Sequence, residues 1–276
     1  MRNGFICVAI LILISSSAYA AAYDDFTFGV AAKNRGDGAA AITYLTLALN
    51  ASDLAQSLRP VAYLDRGLAY MSKHACAMAQ SDFTAASALK PDYFEAYVAQ
   101  SEASNCLGHT DEMIAAYNKA VLVLPNAVAY FGRGRMFLLL GRYADAVPDM
   151  RQAVKLDPNN PYPVLWLWIA SARAGSVDES EFDHDVSHLN LQGWPEPILD
   201  LFAGNTTPDT VMGREDEVDD DIKRGQDCEA NFYIGEWQMV RKHADAALPL
   251  FKAAAKDCPE NFIEYSAASA ELARMK

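Results

Sequence analysis

A 34-residue period of small, large and proline residues constrains the fold of this chain more than any other feature. In residues 127–160, Gly134 precedes Ala146 by twelve residues, Ala146 precedes Ala153 by seven, and Ala153 precedes Pro158 by five. Related spacings occur in four further segments: 22–55, 60–93, 94–126 and 228–261. Such a period predicts stacked helix pairs, because one pair alone cannot bury its apolar face.

The residue types at the repeated positions give this prediction a physical basis. Small residues let the two helices of a pair approach closely, and we assign this role to Gly67, Gly134, Gly235, Ala79, Ala146 and Ala247. Large residues are expected to fill the space between neighbouring pairs, and these are Tyr70, Phe83, Phe137 and Phe251. A glycine at the turn supplies a left-handed helix end, and a proline stops the second helix.

This pattern resembles the tetratricopeptide repeat (TPR). The resemblance implies an all-α fold, a right-handed superhelical solenoid of helix–turn–helix repeats with a concave groove. On this basis 21–192 contains the N-terminal repeats, with a degenerate fifth pair in 161–192. An irregular helical insert covers 193–227, and a C-terminal capping helix covers 262–276.

The first twenty residues have the form of a secretory signal peptide. Arg2 precedes an apolar run over residues 4–14, and small residues follow at Ala18 and Ala20. This run is too short to span a bilayer comfortably, so we expect cleavage after Ala20, with an uncleaved anchor as the alternative. No cysteine follows Ala20 directly. We therefore expect a periplasmic or secreted protein that is not a lipoprotein.

The charge balance excludes some classes of partner. The chain has 36 acidic and 23 basic residues, a formal net charge of −13. Nucleic acid and anionic lipid both require a basic surface, so neither is an expected partner.

The sequence contains no GxSxG, HExxH, GxGxxG or Walker motif. We therefore expect no cofactor and no enzymatic activity.

A metal site is the alternative that would make this protein an enzyme. His184 and His188 are four residues apart beside Glu181 and Asp185, a spacing that can bind a divalent metal on a helix. We favour a solvated polar helix face for this segment. The acidic run 215–221 is interpreted in the same way.

The first helices of the repeats are expected to line the groove where a partner binds. Repeat positions assign this lining to Leu64, Leu68, Glu95, Val98, Glu102, Phe131, Arg135, Phe232 and Glu236. An apolar groove with acidic positions suits an extended apolar or basic peptide, or a helix. Alternatively, part of this lining packs against the N-terminal helix or against a second subunit in a homodimer.

The C-terminal third carries a second resemblance, through Trp194, Pro195, Leu199, Phe202, Gly204, Asn205, Asn231, Gly235, Phe251, Phe262, Tyr265 and Leu272. Residues 194–272 resemble the NlpI-type lipoproteins, TPR adaptors of the bacterial cell envelope. The resemblance implies a non-catalytic scaffold that dimerises and holds envelope proteases and peptidoglycan hydrolases together. The chain departs from that family by lacking a lipidated cysteine. An assembly factor for a secretion or exported-polymer machine is the alternative.

Four cysteines outside the signal segment allow three disulfide pairings. In the predicted repeats, Cys228 opens the first helix of a pair and Cys258 closes the second, so the two ends lie side by side. Cys76 begins one helix and Cys106 ends the next, near the same rim. The repeat phase thus predicts Cys76–Cys106 and Cys228–Cys258, each contributing about 3–4 kcal/mol. Four free thiols are the alternative.

Peptide mapping of the non-reduced protein by mass spectrometry tests this pairing. We expect two cross-linked peptide pairs, Cys76 with Cys106 and Cys228 with Cys258, which disappear on reduction. A Cys76–Cys228 link would contradict the assignment, as would alkylation of all four thiols without a reductant.

Overall fold

Helices form the regular secondary structure of this chain in a computed structural model, which describes residues 21–213, 219–259 and 262–276. The helices are α1 (21–34), α2 (Gly38–Asn50), α3 (Arg59–Met71), α4 (Cys76–Leu89), α5 (Phe94–Leu107), α6 (Thr110–Val123), α7 (Ala127–Leu139), α8 (Tyr143–Leu156), α9 (Pro161–Arg173), α10 (Glu179–His188), α11 (Glu196–Ala203), α12 (Pro208–Met212), α13 (Asp220–Val240), α14 (Ala244–Asp257) and α15 (Ile263–Arg274). The described residues contain no strand, which confirms the all-α prediction.

Two predicted features lie outside the described residues. The expected signal peptide, 1–20, is one, and residues 215–218 of the acidic run are the other. None of the helices in the described part of the chain is both long enough and apolar enough to cross a membrane.

The chain divides into two compact units between Pro125 and Asn126. Unit 1 holds α1–α6, and unit 2 holds α7–α15. Within unit 1, consecutive helices from α2 to α6 contact one another, and α3 also contacts α5. Ala32 of α1 shares a buried cluster with Ala41 and Leu45 of α2. Unit 1 is therefore a series of helix pairs in sequence order.

A glycine in the first helix faces a large side chain in the second helix of four pairs. The two residues are sixteen positions apart each time: Gly29 with Leu45, Gly67 with Phe83, Gly134 with Met150, and Gly235 with Phe251. A Cβ added at Gly235 would lie 2.7 Å from the Phe251 ring. Phe83 and Phe251 thus pack against the glycine of their own helix pair. The sequence pattern predicts these side chains only between neighbouring pairs.

A buried ion pair uses the same spacing in two repeats. Arg66 binds Asp82, and Arg133 binds Asp149, each through Nε and Nη2 to the two carboxylate oxygens. The four N···O distances are 2.7–2.8 Å, and both aspartates are 4% exposed. The planar guanidinium fits such bidentate contact, so each pair fixes the angle between its two helices.

The insert and the last repeat differ from the predicted bounds. The α13 helix begins at Asp220, eight residues before the predicted repeat start at 228, so Cys228 lies inside this helix rather than opening it. Thr207 caps α12 by accepting a hydrogen bond from the Thr210 amide.

Four helices of unit 2 enclose a common core, and we call them the inner helix ring: α7, α9, α13 and α15. The α9 helix contacts α7 and α13, and α15 contacts α13 and returns to α7. Trp166 lies at the centre, stacked on Phe232 with ring centroids 5.4 Å apart and edge-on to Phe131 at 6.1 Å. The predicted capping helix therefore also contacts the first helix of its unit.

The order of contacts gives the direction of these helices. Tyr162, Trp166 and Arg173 of α9 bond Glu229, Tyr233 and Glu236 of α13, respectively. Because both series rise in number, α9 and α13 run parallel, and helix starts and helix ends gather at opposite ends of the ring.

The helix-end side of the ring is closed by a polar network of Tyr143, Arg173, Glu236, Glu271 and Arg274. Arg173 donates to Glu236 at 2.6 Å and to Glu271 at 3.1 Å, and Arg274 donates to the Leu139 carbonyl at 2.8 Å. Burial and the charge of Glu271 raise the pKa of Glu236. Although burial alone would raise it, the pKa of Glu271 is lowered by Arg274 and Arg173. This network ties α15 to α7 and α9.

Two disulfides link helices within the units. Cys76 at the start of α4 bonds Cys106 near the end of α5, with Cα atoms 6.1 Å apart. Cys228 in α13 bonds Cys258 directly after α14, with Cα atoms 4.9 Å apart. These are the pairs that the repeat phase predicts.

Replacing Arg133 with alanine should destabilise unit 2 by about 3 kcal/mol, because Asp149 would remain buried without its cation. All four tryptophans lie in unit 2, so urea unfolding followed by tryptophan fluorescence measures this unit. The control is Arg142→Ala, which removes an exposed pair with Asp145 and should cost less than about 1 kcal/mol. Equal effects of the two variants would contradict the prediction.

Candidate functional site

A cavity of about 360 Å³ opens at the end of the inner helix ring where the helices start, and we call it the open-end pocket. The first turns of α7, α9 and α15 surround it, together with Asp157 after α8 and Glu229 from the middle of α13. The described residues that line it are Ala127, Val128, Phe131, Asp157, Asn160, Tyr162, Pro163, Glu229, Phe262, Ile263 and Glu264. All of these residues belong to unit 2.

Two asparagine caps set the positions of the helix starts around the pocket. The Asn126 side chain accepts a hydrogen bond from the Ala129 amide at 2.8 Å, and Asn160 accepts one from Tyr162 at 3.1 Å. Such caps satisfy amides that have no partner inside the helix. The two caps fix where α7 and α9 begin, and side chains from both first turns line the open-end pocket as a result.

The walls of the pocket are apolar. Phe131, Pro163, Phe262 and Ile263 are buried or half-buried, whereas Val128 is 62% exposed and lies at the mouth. A preformed concave site with apolar walls and a few polar groups is the usual form of a ligand pocket.

Glu229 is the first of two buried carboxylates in the pocket. It is 8% exposed and accepts hydrogen bonds from the Trp194 indole at 2.7 Å and from the Tyr162 hydroxyl at 3.1 Å. Burial raises its pKa, although both hydrogen bonds act in the opposite direction. The neutral donors therefore stabilise the ionised carboxylate, but they do not fully compensate for the hydration that it loses on burial.

Glu264 is the second buried carboxylate, at 3% exposure. It accepts a hydrogen bond from the Tyr233 hydroxyl at 3.0 Å, and this hydroxyl accepts one from the Trp166 indole at 2.9 Å. Burial and the charge of Glu229 raise the pKa of Glu264 to about 7, against the opposing charge of Arg135. The pocket thus contains a carboxyl group that titrates near neutral pH.

The structure buries three of the nine residues predicted to line an open groove. Leu64 belongs to a core cluster of unit 1, and Phe232 and Glu236 are 1% and 2% exposed in unit 2. For these three the groove prediction is wrong. In unit 2 the reason is that α15 returns to α7, so the concave face becomes the core of the ring.

The other six residues retain some exposure. Leu68 and Glu95 are exposed in unit 1, and Val98 and Glu102 are half-buried there. Phe131 lines the open-end pocket, and Arg135 is half-buried near Glu264. The predicted residues of unit 2 therefore belong to a closed ring with one open end.

Sequence reasoning missed Tyr162 and Glu264 as site residues. A signal was present for Glu264, because it lies seven residues before Glu271 and shares a helix face with Ala267 and Ala268. Glu229 and Glu236 show the same spacing in α13. Two carboxylates two turns apart on an otherwise small or apolar face indicate a polar layer inside a helix bundle.

The histidine pair considered as a metal site lies on α10. The rings of His184 and His188 have centroids 4.4 Å apart, and both side chains are exposed. Among the described residues, no group of three or more histidine, cysteine, aspartate or glutamate side chains is arranged to hold a metal ion. The pair thus has no third ligand in the part of the chain that the structure describes.

Comparison with known proteins identifies the repeat. Residues 127–160 match the tetratricopeptide-repeat family model. The chain is similar to a tetratricopeptide repeat protein from Parabacteroides merdae, with 15% identity, coverage of 91% of this chain and 98% of that one, and a TM-score of 0.60. It is also similar to MamA, with 18% identity, coverage of 63% and 98%, and a TM-score of 0.53. At these identities the similarity shows the fold.

The raised pKa of Glu264 predicts that unit 2 loses stability as pH rises. The fold favours the protonated carboxyl, so this contribution is complete below pH about 4.5 and disappears as pH passes about 7. Between pH 5 and 8 we expect a loss of about 2–3 kcal/mol from this group. Urea unfolding of the wild type and of Glu264→Gln, followed by tryptophan fluorescence, measures it.

The variant should show a smaller loss over this pH range and should be more stable than the wild type at pH 8. Glu95→Gln, at an exposed position of unit 1, is the control and should follow the wild type. Parallel pH profiles for the wild type and Glu264→Gln would contradict the prediction.

Proposed function

We propose that this tetratricopeptide-repeat protein is an exported, non-catalytic adaptor, and that its open-end pocket receives a segment of a partner protein. The observation that carries the proposal is the pocket itself, a cavity of about 360 Å³ with apolar walls and convergent polar groups. Proteins built from stacked helical repeats commonly bind other proteins and peptides at concave surfaces.

Export is supported by the cysteines and by the first residues of the sequence. Disulfides persist in oxidising compartments and are rare where thiols are kept reduced. The pairs Cys76–Cys106 and Cys228–Cys258 therefore fit a periplasmic or secreted protein. The signal-peptide pattern of residues 1–20 supports the same location.

An adaptor needs a second surface besides the pocket, and unit 1 offers one. Leu68 is 40% exposed there, Glu95 is exposed and Val98 is half-buried. We propose that these residues contact a second protein while the open-end pocket holds the first. The resemblance of residues 194–272 to envelope adaptors favours envelope proteases or peptidoglycan hydrolases as the partners.

Affinity capture from an envelope extract of the native host tests this proposal. The bait proteins are the wild type, Val128→Trp, which places a bulky side chain at the pocket mouth, and Leu122→Trp as the control. Leu122 is 76% exposed in unit 1, so both substitutions alter exposed apolar positions. We expect proteases or wall hydrolases to be enriched by the wild type and the control, and at least fivefold less by Val128→Trp.

Two results would contradict the proposal. One is that no envelope protein is enriched over an empty matrix, and the other is that capture by Val128→Trp equals capture by the wild type. Enrichment of secretion components in place of proteases and hydrolases would favour the assembly-factor alternative.

A further inference from the structure

We propose that the open-end pocket binds the side chain of one arginine or lysine of a partner polypeptide. This inference rests on the proposed function, because it names the group of the partner that enters the pocket. Three properties of the lining carry it: the sign of its charges, the burial of its carboxylates and the character of its walls.

Among the described residues of the lining, the charged ones are acidic. They are Asp157, Glu229 and Glu264, and no lysine or arginine is found with them. An anionic ligand would meet three carboxyl groups there. Because complementary charges across an interface determine which partner binds, this lining favours a cation.

Because the two glutamates are buried, they favour a cationic ligand more strongly than exposed carboxylates would. Glu229 and Glu264 are 8% and 3% exposed, and the hydrogen bonds described for them come from the neutral groups of Trp194, Tyr162 and Tyr233. At the other end of the ring, by contrast, Arg173 contacts two glutamates directly. The charge of Arg135 already acts on Glu264, and a cation from outside would add a contact of the kind that Arg173 makes at the closed end.

The walls fit a long side chain with a charged tip. Val128, Phe131, Phe262 and Ile263 present apolar surface, against which the methylene groups of arginine or lysine can pack. Tyr162 adds a third aromatic ring to this lining, and aromatic faces attract cations. The volume, about 360 Å³, lies at the lower end of the range for ligand pockets, which suits one side chain rather than a helix.

The apolar mouth favours a polypeptide over a free small cation. Val128 is 62% exposed at this position, so residues flanking the bound arginine or lysine would contact it. A free amine would leave this surface uncovered.

Binding should become tighter as pH rises from 6 to 8. The groups facing Glu264 are Glu229 and Tyr233 of α13, Tyr162 of α9 and Arg135 of α7. Because the pKa of Glu264 is about 7, a cation must displace its proton at pH 6 but not at pH 8. We expect an affinity gain of about tenfold over this range.

An NMR titration can measure binding directly inside the pocket. The Trp194 indole N–H donates to Glu229, so its resonance reports on this carboxylate, and Trp194→Phe assigns it. The probes are the pentapeptide amide acetyl-Gly-Leu-Arg-Leu-Gly-NH₂, the same peptide with neutral citrulline in place of arginine, and acetyl-arginine amide. We expect the arginine peptide to bind at least tenfold tighter than either of the others.

Substitutions in the pocket complete the test. Glu229→Gln and Glu264→Gln should each weaken binding of the arginine peptide at least tenfold at pH 8, whereas Glu179→Gln, at an exposed position of α10, should not change it. Far-ultraviolet circular dichroism and tryptophan fluorescence check that the variants fold. Equal affinity for the arginine and citrulline peptides would overturn the inference, as would unchanged binding by both pocket variants.

Further outcomes separate this inference from the proposed function. If Glu229→Gln and Glu264→Gln still capture the partner that Val128→Trp loses, the adaptor function stands and the basic-side-chain inference fails. If acetyl-arginine amide binds as tightly as the peptide, the pocket is a site for small cations and the inference is overturned. A dimer that blocks the probe and dissociates in Val128→Trp would assign the pocket to a second copy, and this also overturns it.

Discussion

The contact of α15 with α7 and α9 is the interaction on which unit 2 depends. Arg173 reaches two carboxylates on different helices, Glu236 and Glu271, and Arg274 reaches the end of α7. If α15 were removed, Arg173 would lose Glu271, one of its two carboxylate partners, and the Tyr233 hydroxyl would lose Glu264. The ion network therefore joins α15 to α7, α9 and α13, the three helices whose aromatic rings meet around Trp166, and the repeats end in a closed ring rather than an open groove.

The ring contains two layers of carboxylates, and the layers differ in what surrounds them. Glu229 and Glu264 form one layer, and Glu236 and Glu271 form the other, seven residues later on the same two helices. Arginines contact the second layer together with Tyr143, whereas the donors described for the first layer are neutral tyrosine and tryptophan groups. Because the first layer borders a cavity, the pocket combines carboxylates that favour a cation with space for one to enter.

The sequence predicts the helix pairs well, because close packing requires small residues at fixed spacings. Gly67, Gly134 and Gly235 each lie against a residue sixteen positions later, and no other residue type fits there without displacement. The closure of unit 2 could not be predicted in this way, since the repeat pattern fixes how neighbours pack but not how many pairs complete a turn. The pattern therefore places Phe232 and Glu236 in a groove and gives no role to Glu264. Their burial depends on contacts between helices that are far apart in the sequence.

The ring closure also determines when unit 2 can complete its core during synthesis. Tyr143 bonds Glu271 across 128 residues, and Arg274 bonds Leu139 across 135, whereas the ion pairs inside the repeats span 16. Unit 1 is built from local contacts that can form while the chain is still growing. The core around Trp166 stays incomplete until residue 274 has been made. The two units therefore differ in contact order, and unit 2 remains exposed to proteases and chaperones for longer than unit 1 during synthesis.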